Sequence, residues 1–293
     1  MKPNHYTMQR MSQLPHSLFI ITGAASGIGR AVAVQAAAAG AQVLATDINA
    51  TGLAQTQALI QDAGGQVQTA LLDVADAGQI TAFAQQVTQA HAGQRLILFN
   101  NAGVALGSGT FDDNSLEDFE WVLGINLYGV IRLTKAFLPL MRAQNAGHIV
   151  NVSSVFGLFG MPESAAYSTA KFGVRGFGDA LRNELRGSGI QVSTVFPGGV
   201  KTNISVSARL GGPRTPEQHE QANRRFERGA LTTPEQAART ILRGIQANRA
   251  RILVGPDAHL LDWLVRLLPT GAAGLLLPVL QGTFTPQPTI PPS

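Results

Sequence analysis

A tyrosine and a lysine four residues apart, Tyr167 and Lys171, are the side chains of this sequence best suited to move a proton. The chain has three tyrosines and four lysines, so chance would produce this spacing only about 0.04 times. In a helix both side chains leave the same face. A phenol has an unperturbed pKa of about 10, and a nearby ammonium favours its ionised form. The pair therefore predicts a general acid and base assisted by a cation.

Two serines, Ser153 and Ser154, come at the end of an apolar run, fourteen and thirteen residues before the tyrosine. At the carboxyl end of a strand, a hydroxyl can hydrogen-bond a substrate oxygen as negative charge develops on it. Ser154 is the candidate for this role. Ser153 competes with it, because spacing alone does not separate the two.

A glycine-rich turn, Thr-Gly-Ala-Ala-Ser-Gly-Ile-Gly from Thr22, follows the first apolar run. Glycines let the backbone approach a pyrophosphate, and the next helix offers free N–H groups and the positive end of its dipole. Glycine turns also occur for structural reasons, but this position between a strand and a helix favours a dinucleotide. The residues placed to contact it are Gly23, Ser26, Gly27, Ile28 and Gly29.

The choice between NAD and NADP depends on Asp47, which lies eighteen residues after Gly29 at the end of the second apolar run. A carboxylate there accepts hydrogen bonds from ribose hydroxyls and repels a 2′-phosphate. Arg30, near the same position, can instead meet a phosphate, and an aspartate can also be a simple turn residue. The sequence favours NAD, with NADP as the weaker alternative.

Polar residues also follow the third and fourth apolar runs. Strand ends in a parallel sheet line the ligand crevice, so Asp73 and Val74 are expected at the adenine, and Asn101, Ala102 and Gly103 on the adenosine side. Asparagine and glycine form ordinary turns as well.

Holding these residues at one edge requires a parallel sheet, and the chain does alternate strand-like runs with longer helical stretches. The predicted strands are residues 18–22, 42–46, 66–72, 95–100, 148–153, 190–196 and 251–254. The predicted helices are residues 28–39, 51–63, 77–90, 115–144, 164–187 and 234–248. The fold class is α/β: a Rossmann-like, doubly wound sheet of seven parallel strands with helices on both faces, plus a C-terminal helical extension.

Composition excludes several kinds of site. The 293 residues include no cysteine, which rules out disulfides, thiolate nucleophiles and cysteine-bound metals. The six histidines show no metal-binding spacing, so no metal is expected. The net charge of +4 derives largely from arginines in residues 209–251. Solvated helix faces explain them best. A phosphate or CoA tail is the alternative, and nucleic acid is not expected because no aromatic residues are interleaved with them.

Taken together, these motifs resemble the short-chain dehydrogenase/reductase family in its compact single-domain form. They are Thr22-Gly23-x-x-x-Gly27-x-Gly29, Asn100-Asn101-Ala102-Gly103, Ser154, Tyr167-x-x-x-Lys171 and Pro197-Gly198, in the family's order. The resemblance covers residues 18–254 and implies a nicotinamide-dependent alcohol dehydrogenase or ketone reductase.

The resemblance also implies roles for individual residues. It selects Ser154 to orient the substrate oxygen, adds Asn126 as holder of a water linked to Lys171, and gives Lys171 a contact with the nicotinamide ribose. It further implies that four residues after the sixth strand cover the nicotinamide: Pro197, Gly198, Val200 and Thr202.

The substrate is expected to be an apolar secondary alcohol or ketone of medium or large size. Residues 155–161 are mostly apolar and lie between Ser154 and Tyr167, so some should line the pocket. Core or subunit contacts are the alternative for them. Residues 203–231 are polar and punctuated by glycine and proline, and are expected to form a substrate lid.

Outside the dehydrogenase domain, predicted at residues 18–256, residues 1–17 are expected to form a loose arm without a secretory signal. Residues 257–293 are expected to form an amphipathic extension and a disordered, proline-rich tail. The uncharged run in this C-terminal extension, residues 267–280, is shorter than a membrane span. We expect a cytoplasmic homo-oligomer, a dimer or tetramer, with membrane-surface contact by the extension as the weaker possibility. The alternative functions are a catalytically silent NAD-binding scaffold and a membrane-surface lipid-binding protein.

Overall fold

The structure, a computed structural model, describes residues 13–107, 109–202, 204, 208–210, 215, 217, 220–221, 224 and 228–276. The predicted lid at residues 203–231 therefore lies largely outside the described residues. The tail at residues 277–293 and residues 1–12 of the predicted arm lie wholly outside them.

Seven parallel strands form the central sheet, as predicted, in the order β3-β2-β1-β4-β5-β6-β7. The order reverses between β1 and β4, and at such a switch point the helices on either side leave a crevice at the carboxyl ends of the strands. The strands are β1 Leu18–Thr22, β2 Gln42–Asp47, β3 Gln66–Leu71, β4 Leu96–Asn100, β5 Gly147–Val152, β6 Ile190–Pro197 and β7 Arg251–Val254.

Helices cover both faces of the sheet, so the central strands β1, β4 and β5 are buried along their whole length. One core cluster includes Val32 and Ile241, and the other includes Phe83, Phe137 and Leu181. The helices are α1 Gly27–Ala38, α2 Ala50–Asp62, α3 Ala77–Ala90, α4 Leu116–Leu123, α5 Gly129–Gln144, α6 Ala165–Glu184, α7 Pro234–Gln246 and α8 Pro256–Leu267.

Helices α4 and α5 are continuous through one π-helical turn, Gly124–Tyr128. By length and composition, Leu116–Gln144 is apolar enough to cross a membrane. The buried helix of an α/β domain has the same composition, and Phe137 and Met141 of α5 are fully buried in the core beside α3. The stretch is therefore explained as a core helix.

The C-terminal helix α8 packs its inner side on the domain, where it contacts β7 and the single turn Val155–Gly157. Asp262 pairs with Arg251 and, at 3.1 Å, with Arg266. The opposite side leaves Leu260, Trp263 and Leu267 about 60% exposed. Within the described residues, the predicted amphipathic extension thus packs one side of α8 on the domain and leaves apolar side chains exposed on the other side.

The folded domain begins before the predicted boundary at residue 18. Leu14 is buried in the core, and the Ser17 hydroxyl donates to the Leu14 carbonyl oxygen over 2.6 Å. Within the predicted arm, residues 14–17 are thus packed on the domain, because an apolar side chain anchors them.

Candidate active site

The glycine-rich turn lies between β1 and α1, as predicted. Gly23 and Gly27 have positive φ angles of 68° and 53°, which a residue with a Cβ rarely adopts. A Cβ on Gly29 would overlap the carbonyl oxygen of Gly23. The turn therefore requires glycine at all three positions, and Ser26 and Ile28 are carried on the same loop.

Thr22, which the sequence argument placed in the glycine motif without a role, joins this turn to the end of β4. Its hydroxyl accepts hydrogen bonds from the N–H groups of Asn101 and Ala102, each over 3.0 Å. The side-chain amide nitrogen of Asn101 donates in return to the carbonyl oxygens of Thr22 at 2.9 Å and Gly23 at 3.2 Å. Asn101 and Ala102 thus hold the two sides of the switch point together. A hydroxyl residue immediately before the first glycine was the signal for Thr22.

Asp47 lies beside the glycine turn at the end of β2. One carboxylate oxygen accepts from Ala25 N–H and the other from Asn49 N–H, both over 3.0 Å. The guanidinium of Arg30 is held by the α2 side, with hydrogen bonds to Thr56 at 3.0 Å and Gln55 at 2.9 Å. Two backbone N–H groups therefore hold the carboxylate next to the glycine turn, while the arginine is engaged by other acceptors.

The residues after β3 lie at the same edge, next along from Asp47. One Asp73 carboxylate oxygen accepts from Ala75 N–H over 2.8 Å, which stabilises the turn into α3. Val74 is buried, and a Cβ on Gly129 would lie 3.0 Å from its side chain.

Asn126 occupies the π-helical turn and is fully buried. Its amide accepts from the N–H of Val104 and donates to the carbonyl oxygen of Val104, both over 2.8 Å. A Cβ on Gly103 would lie 3.1 Å from the Asn126 Oδ1 and 3.6 Å from the Lys171 Nζ. The asparagine therefore ties the segment after β4 to the helix, close to the lysine. A π-helical turn is frequently found at functional sites.

The two serines after β5 point in different directions. The Ser153 hydroxyl is buried and donates to the Lys171 carbonyl oxygen over 2.7 Å. The Ser154 hydroxyl accepts from Phe156 N–H over 3.1 Å and lies close enough to the phenol of Tyr167 to lower its pKa. The geometry places Ser154, not Ser153, beside the phenol.

Tyr167 and Lys171 lie on one face of α6, with the lysine ammonium 5.4 Å from the centre of the tyrosine ring. Lys171 is buried, and its Nζ donates to the Val152 carbonyl oxygen over 3.0 Å. Burial raises the pKa of Tyr167 to about 12, and the hydrogen bond with Ser154 acts in the opposite direction. Burial also lowers the pKa of Lys171 to about 8. At neutral pH the phenol therefore keeps its proton and the amine remains largely charged.

The segment after β6 crosses the crevice toward the glycine turn. Gly198 follows Pro197 and donates its N–H to the Val254 carbonyl oxygen over 2.9 Å, while Val200 is buried. Thr202 lies against the turn, since a Cβ on Gly27 would be 3.1 Å from its methyl group. The four predicted residues therefore follow one path across the carboxyl edge.

Apolar side chains surround the phenol. Phe156 meets the Tyr167 ring edge to face at 5.9 Å, and Phe111 and Phe119 form a second such pair at 6.1 Å. Leu106, Phe111 and Phe119 line a small cavity together with Tyr167. Sequence reasoning missed these three residues, which lie far from the tyrosine along the chain.

Part of the predicted pocket wall lies elsewhere. Phe159 and Met161 line an open groove of about 700 Å³ together with Ala165, Thr169 and Phe172 of α6. At about 100° per residue, those α6 positions lie on the side of the helix away from Tyr167 and Lys171. Within residues 155–161, Phe156 thus contacts the phenol, whereas Phe159 and Met161 face the groove.

The carboxyl edge fits a dinucleotide that spans the switch point. The first turn of α1 carries no acidic side chain, and Ser26 makes no side-chain capping bond, so N–H groups at this end are available to a pyrophosphate. Asp47 stands on one side of that position, and Tyr167 and Lys171 stand on the other. No group of three metal-ligating side chains is found among the described residues.

The chain is similar to known proteins. The family profile described as short chain dehydrogenase matches residues 17–211. SadH of Mycobacterium tuberculosis, which carries the name of an oxidoreductase, is 40% identical over 260 residues, 88% of this chain and 93% of SadH. The ketoacyl reductase HetN of a Nostoc species is 31% identical over 248 residues, 84% of this chain and 81% of HetN.

Solved structures agree with these relatives. A short-chain dehydrogenase/reductase from Burkholderia phymatum, in complex with NAD, aligns with a TM-score of 0.80 at 30% identity, over 88% of this chain and 96% of its own. A metagenomic short-chain oxidoreductase in complex with NADP aligns with a TM-score of 0.61 at 33% identity, over 64% and 84%. These likenesses support a nicotinamide cofactor of either kind. The chain belongs to the short-chain dehydrogenase/reductase family and is an oxidoreductase of that family.

Proposed function

We propose that this protein is an NAD(H)-dependent oxidoreductase that interconverts a secondary alcohol and a ketone, with Tyr167 exchanging the proton. The observation that carries the proposal is the phenol of Tyr167, which lies beside Ser154 and is flanked by the ammonium of Lys171 at the carboxyl edge of the sheet. The nicotinamide, when bound, supplies the hydride acceptor or donor.

The protein's own groups handle the oxygen and its proton. In reduction, Ser154 and Tyr167 hydrogen-bond the carbonyl oxygen, and the tyrosine O–H donates its proton as negative charge develops there. In oxidation the same phenol must be ionised, and the positive charge of Lys171 supports that state. Since burial raises the pKa of Tyr167 to about 12, the resting phenol is protonated and is suited to donate.

The preference for NAD rests on Asp47. Its carboxylate is bound to the Ala25 N–H of the glycine turn, and from that position it would accept hydrogen bonds from ribose hydroxyls and repel a phosphate. Arg30 donates hydrogen bonds to Thr56 and Gln55. These bonds support the preference for NAD, because they engage donors that could otherwise bind a 2′-phosphate.

An apolar ketone or secondary alcohol of medium to large size is the substrate class that the surroundings of the phenol favour. Phe111, Phe119, Phe156 and Leu106 present apolar surface around Tyr167. The relative HetN is named a ketoacyl reductase, and a levodione reductase is among the solved structures that align, with a TM-score of 0.74 at 25% identity.

The decisive test measures turnover of a panel of ketones and alcohols with NAD(H) and NADP(H) in parallel. We expect NADH-linked reduction of apolar ketones and a loss of at least a hundredfold in kcat for Tyr167→Phe, with NADH binding retained. Turnover of small polyols or sugars alone would overturn the substrate class. A Tyr167→Phe variant with unchanged rates would overturn the catalytic assignment and favour a cofactor-binding scaffold.

We also propose a homo-oligomer that covers the open groove on α6, where Phe172 is 40% exposed and Phe159 and Met161 add apolar surface. Light scattering should give a dimer or tetramer for the native chain and a smaller species for Phe172→Glu. Leu59→Glu is the matched control, since Leu59 is a 49% exposed residue of α2 outside this groove. A native monomer at micromolar concentration would contradict the proposal.

A lipid-surface role is the second candidate, and the exposed side of α8 with Leu260, Trp263 and Leu267 is the observation that favours it. Co-sedimentation with phosphatidylcholine vesicles containing phosphatidylglycerol, for the native chain and for Trp263→Ser, tests it. If the native chain binds the vesicles and Trp263→Ser does not, the result supports this candidate. If the native chain does not bind them, the candidate is removed.

A further inference from the structure

The turn that follows β6 is anchored to the first turn of α8 by Asp257. The N–H of Gly199 donates to one carboxylate oxygen of Asp257 over 2.6 Å, across 58 residues of sequence. The glycine turn, the strand ends, the π-helical turn and α6 supply most residues of the candidate site. Asp257, in contrast, belongs to the C-terminal extension.

Glycines make room for this carboxylate. A Cβ on Gly255 would lie 2.5 Å from one of its oxygens, and a Cβ on Gly198 would overlap it. On Gly199 the Cβ would lie 3.6 Å away. Three glycines from two segments thus surround one carboxylate, so any added side chain at Gly198 or Gly255 would displace it.

An aspartate in the first turn of a helix also stabilises that helix through its dipole. This explanation alone does not account for the contact, because Asp257 bonds an N–H group of a different segment. The residue before the helix is Gly255, which has no side chain that could cap the first turn. The Asp257 carboxylate accepts its hydrogen bond from Gly199, outside the helix. The bond therefore joins the extension to the turn at the active-site edge.

The anchored turn leads directly over the crevice. Gly199 and Lys201 pair with Thr232, through hydrogen bonds of 3.2 Å and 2.9 Å, and the segment then reaches Thr202 against Gly27. Asp257 holds the beginning of this path. A displacement of the turn at Gly198 and Gly199 would consequently move the residues that follow it.

The path lies on the nicotinamide half of the crevice. A dinucleotide spanning the switch point has its adenosine at the β2 side, where Asp47 stands, and its other half toward β5 and β6. We propose that Asp257 is a positioning residue that fixes residues 198–202 over the nicotinamide half of the cofactor; this rests on the proposed nicotinamide-dependent function. It acts through the backbone N–H of Gly199 and touches no reacting atom.

The experiment measures binding of two ligands to the full-length protein by titration calorimetry. NADH fills both halves of the crevice, whereas ADP-ribose lacks the nicotinamide. For Asp257→Ala we expect the dissociation constant of NADH to rise about tenfold, as for the loss of one hydrogen bond to a charged group, while that of ADP-ribose changes less than twofold.

Two further variants separate positioning from a general loss of stability. Asp257→Asn keeps an acceptor oxygen and should restore most of the NADH affinity. Asp257→Glu keeps the charge at the helix terminus, but its longer side chain has no space beside Gly198, so it should weaken NADH selectively.

Equal effects on both ligands, or no effect on either in Asp257→Ala and Asp257→Glu, would overturn the proposal. The binding measurement is independent of turnover. If the native protein binds NADH but reduces no ketone, the proposed reaction fails while the role of Asp257 is still decided.

Discussion

The hydroxyl of Ser153 donates a 2.7 Å hydrogen bond to the backbone carbonyl oxygen of Lys171. This bond joins the end of β5 to the middle of α6, so the strand that carries Ser154 and the helix that carries Tyr167 are held together by the serine that does not face the phenol. The two adjacent serines therefore have separable tasks.

Substitution of each serine should separate these tasks. Ser153→Ala removes a hydrogen bond to a buried carbonyl oxygen and should lower the free energy of unfolding by about 1 kcal/mol. Ser154→Ala loses only the part-buried bond from Phe156 N–H and should lower that free energy less than Ser153→Ala does, but it should lower kcat about a hundredfold, because the substrate oxygen loses a donor. Urea unfolding and steady-state kinetics on both variants measure the difference. The reverse pattern would return the catalytic role to Ser153.

Gly103→Ala should lower kcat with little effect on folding cooperativity. The added methyl group would lie 3.1 Å from the Asn126 Oδ1, so Asn126 must give way by a few tenths of an ångström, and it would touch the Lys171 Nζ at 3.6 Å. Small displacements of positioned groups reduce rates strongly, and we expect about a tenfold loss. Gly176→Ala, in α6 where a Cβ would meet nothing within 4 Å, is the control and should keep full activity. Equal kcat values for the two variants would contradict the tight placement around Gly103.

His148 should make stability depend on pH below neutrality. Burial, with smaller effects of Arg95 and Arg182, lowers its pKa to about 3, while its Nε2 lies 2.7 Å from the Ser193 hydroxyl. In the unfolded chain it titrates at about 6.5, so the unfolded state binds more protons between these values and stability falls as the pH falls from about 6.5 towards about 3. For His148→Gln the decline between pH 7 and pH 4.5 should be smaller by about 2 to 3 kcal/mol. Urea unfolding at both values measures it, and identical declines would show that His148 is not the group responsible.

Asp47→Ser should shift cofactor choice toward NADP(H). Removal of the carboxylate takes away the charge that repels a 2′-phosphate and also the acceptor for the ribose hydroxyls. We expect kcat/KM with NADH to fall about tenfold. The ratio of kcat/KM with NADH to kcat/KM with NADPH should fall by more than about tenfold. Asp73→Ser, next along the same edge, is the comparison variant and should alter both cofactors alike. An unchanged ratio in Asp47→Ser would remove Asp47 as the selecting residue.

The sequence by itself determined the repeating pattern of strands and helices, and with it the seven-stranded sheet. Apolar period and turn composition are local properties, so they predicted strand and helix bounds within a few residues, including the exact extent of α3 and β7. The rare Tyr167 and Lys171 spacing, with the glycine turn, predicted the place of the site on the same basis. Family resemblance added Asn126, which no local pattern distinguishes from an ordinary helix residue.

The tertiary structure decided what depends on side-chain direction and on contacts between distant segments. Spacing did not separate Ser153 from Ser154, because only the packing of β5 on α6 directs one hydroxyl to a carbonyl oxygen and the other to the phenol. The tertiary structure also separates Phe159 and Met161 from Tyr167, because these two side chains line the groove on the opposite side of α6. Hydrogen bonds such as that between Gly199 and Asp257 join residues far apart in the chain, and their partners exist only once the sheet has brought the strand ends to one edge.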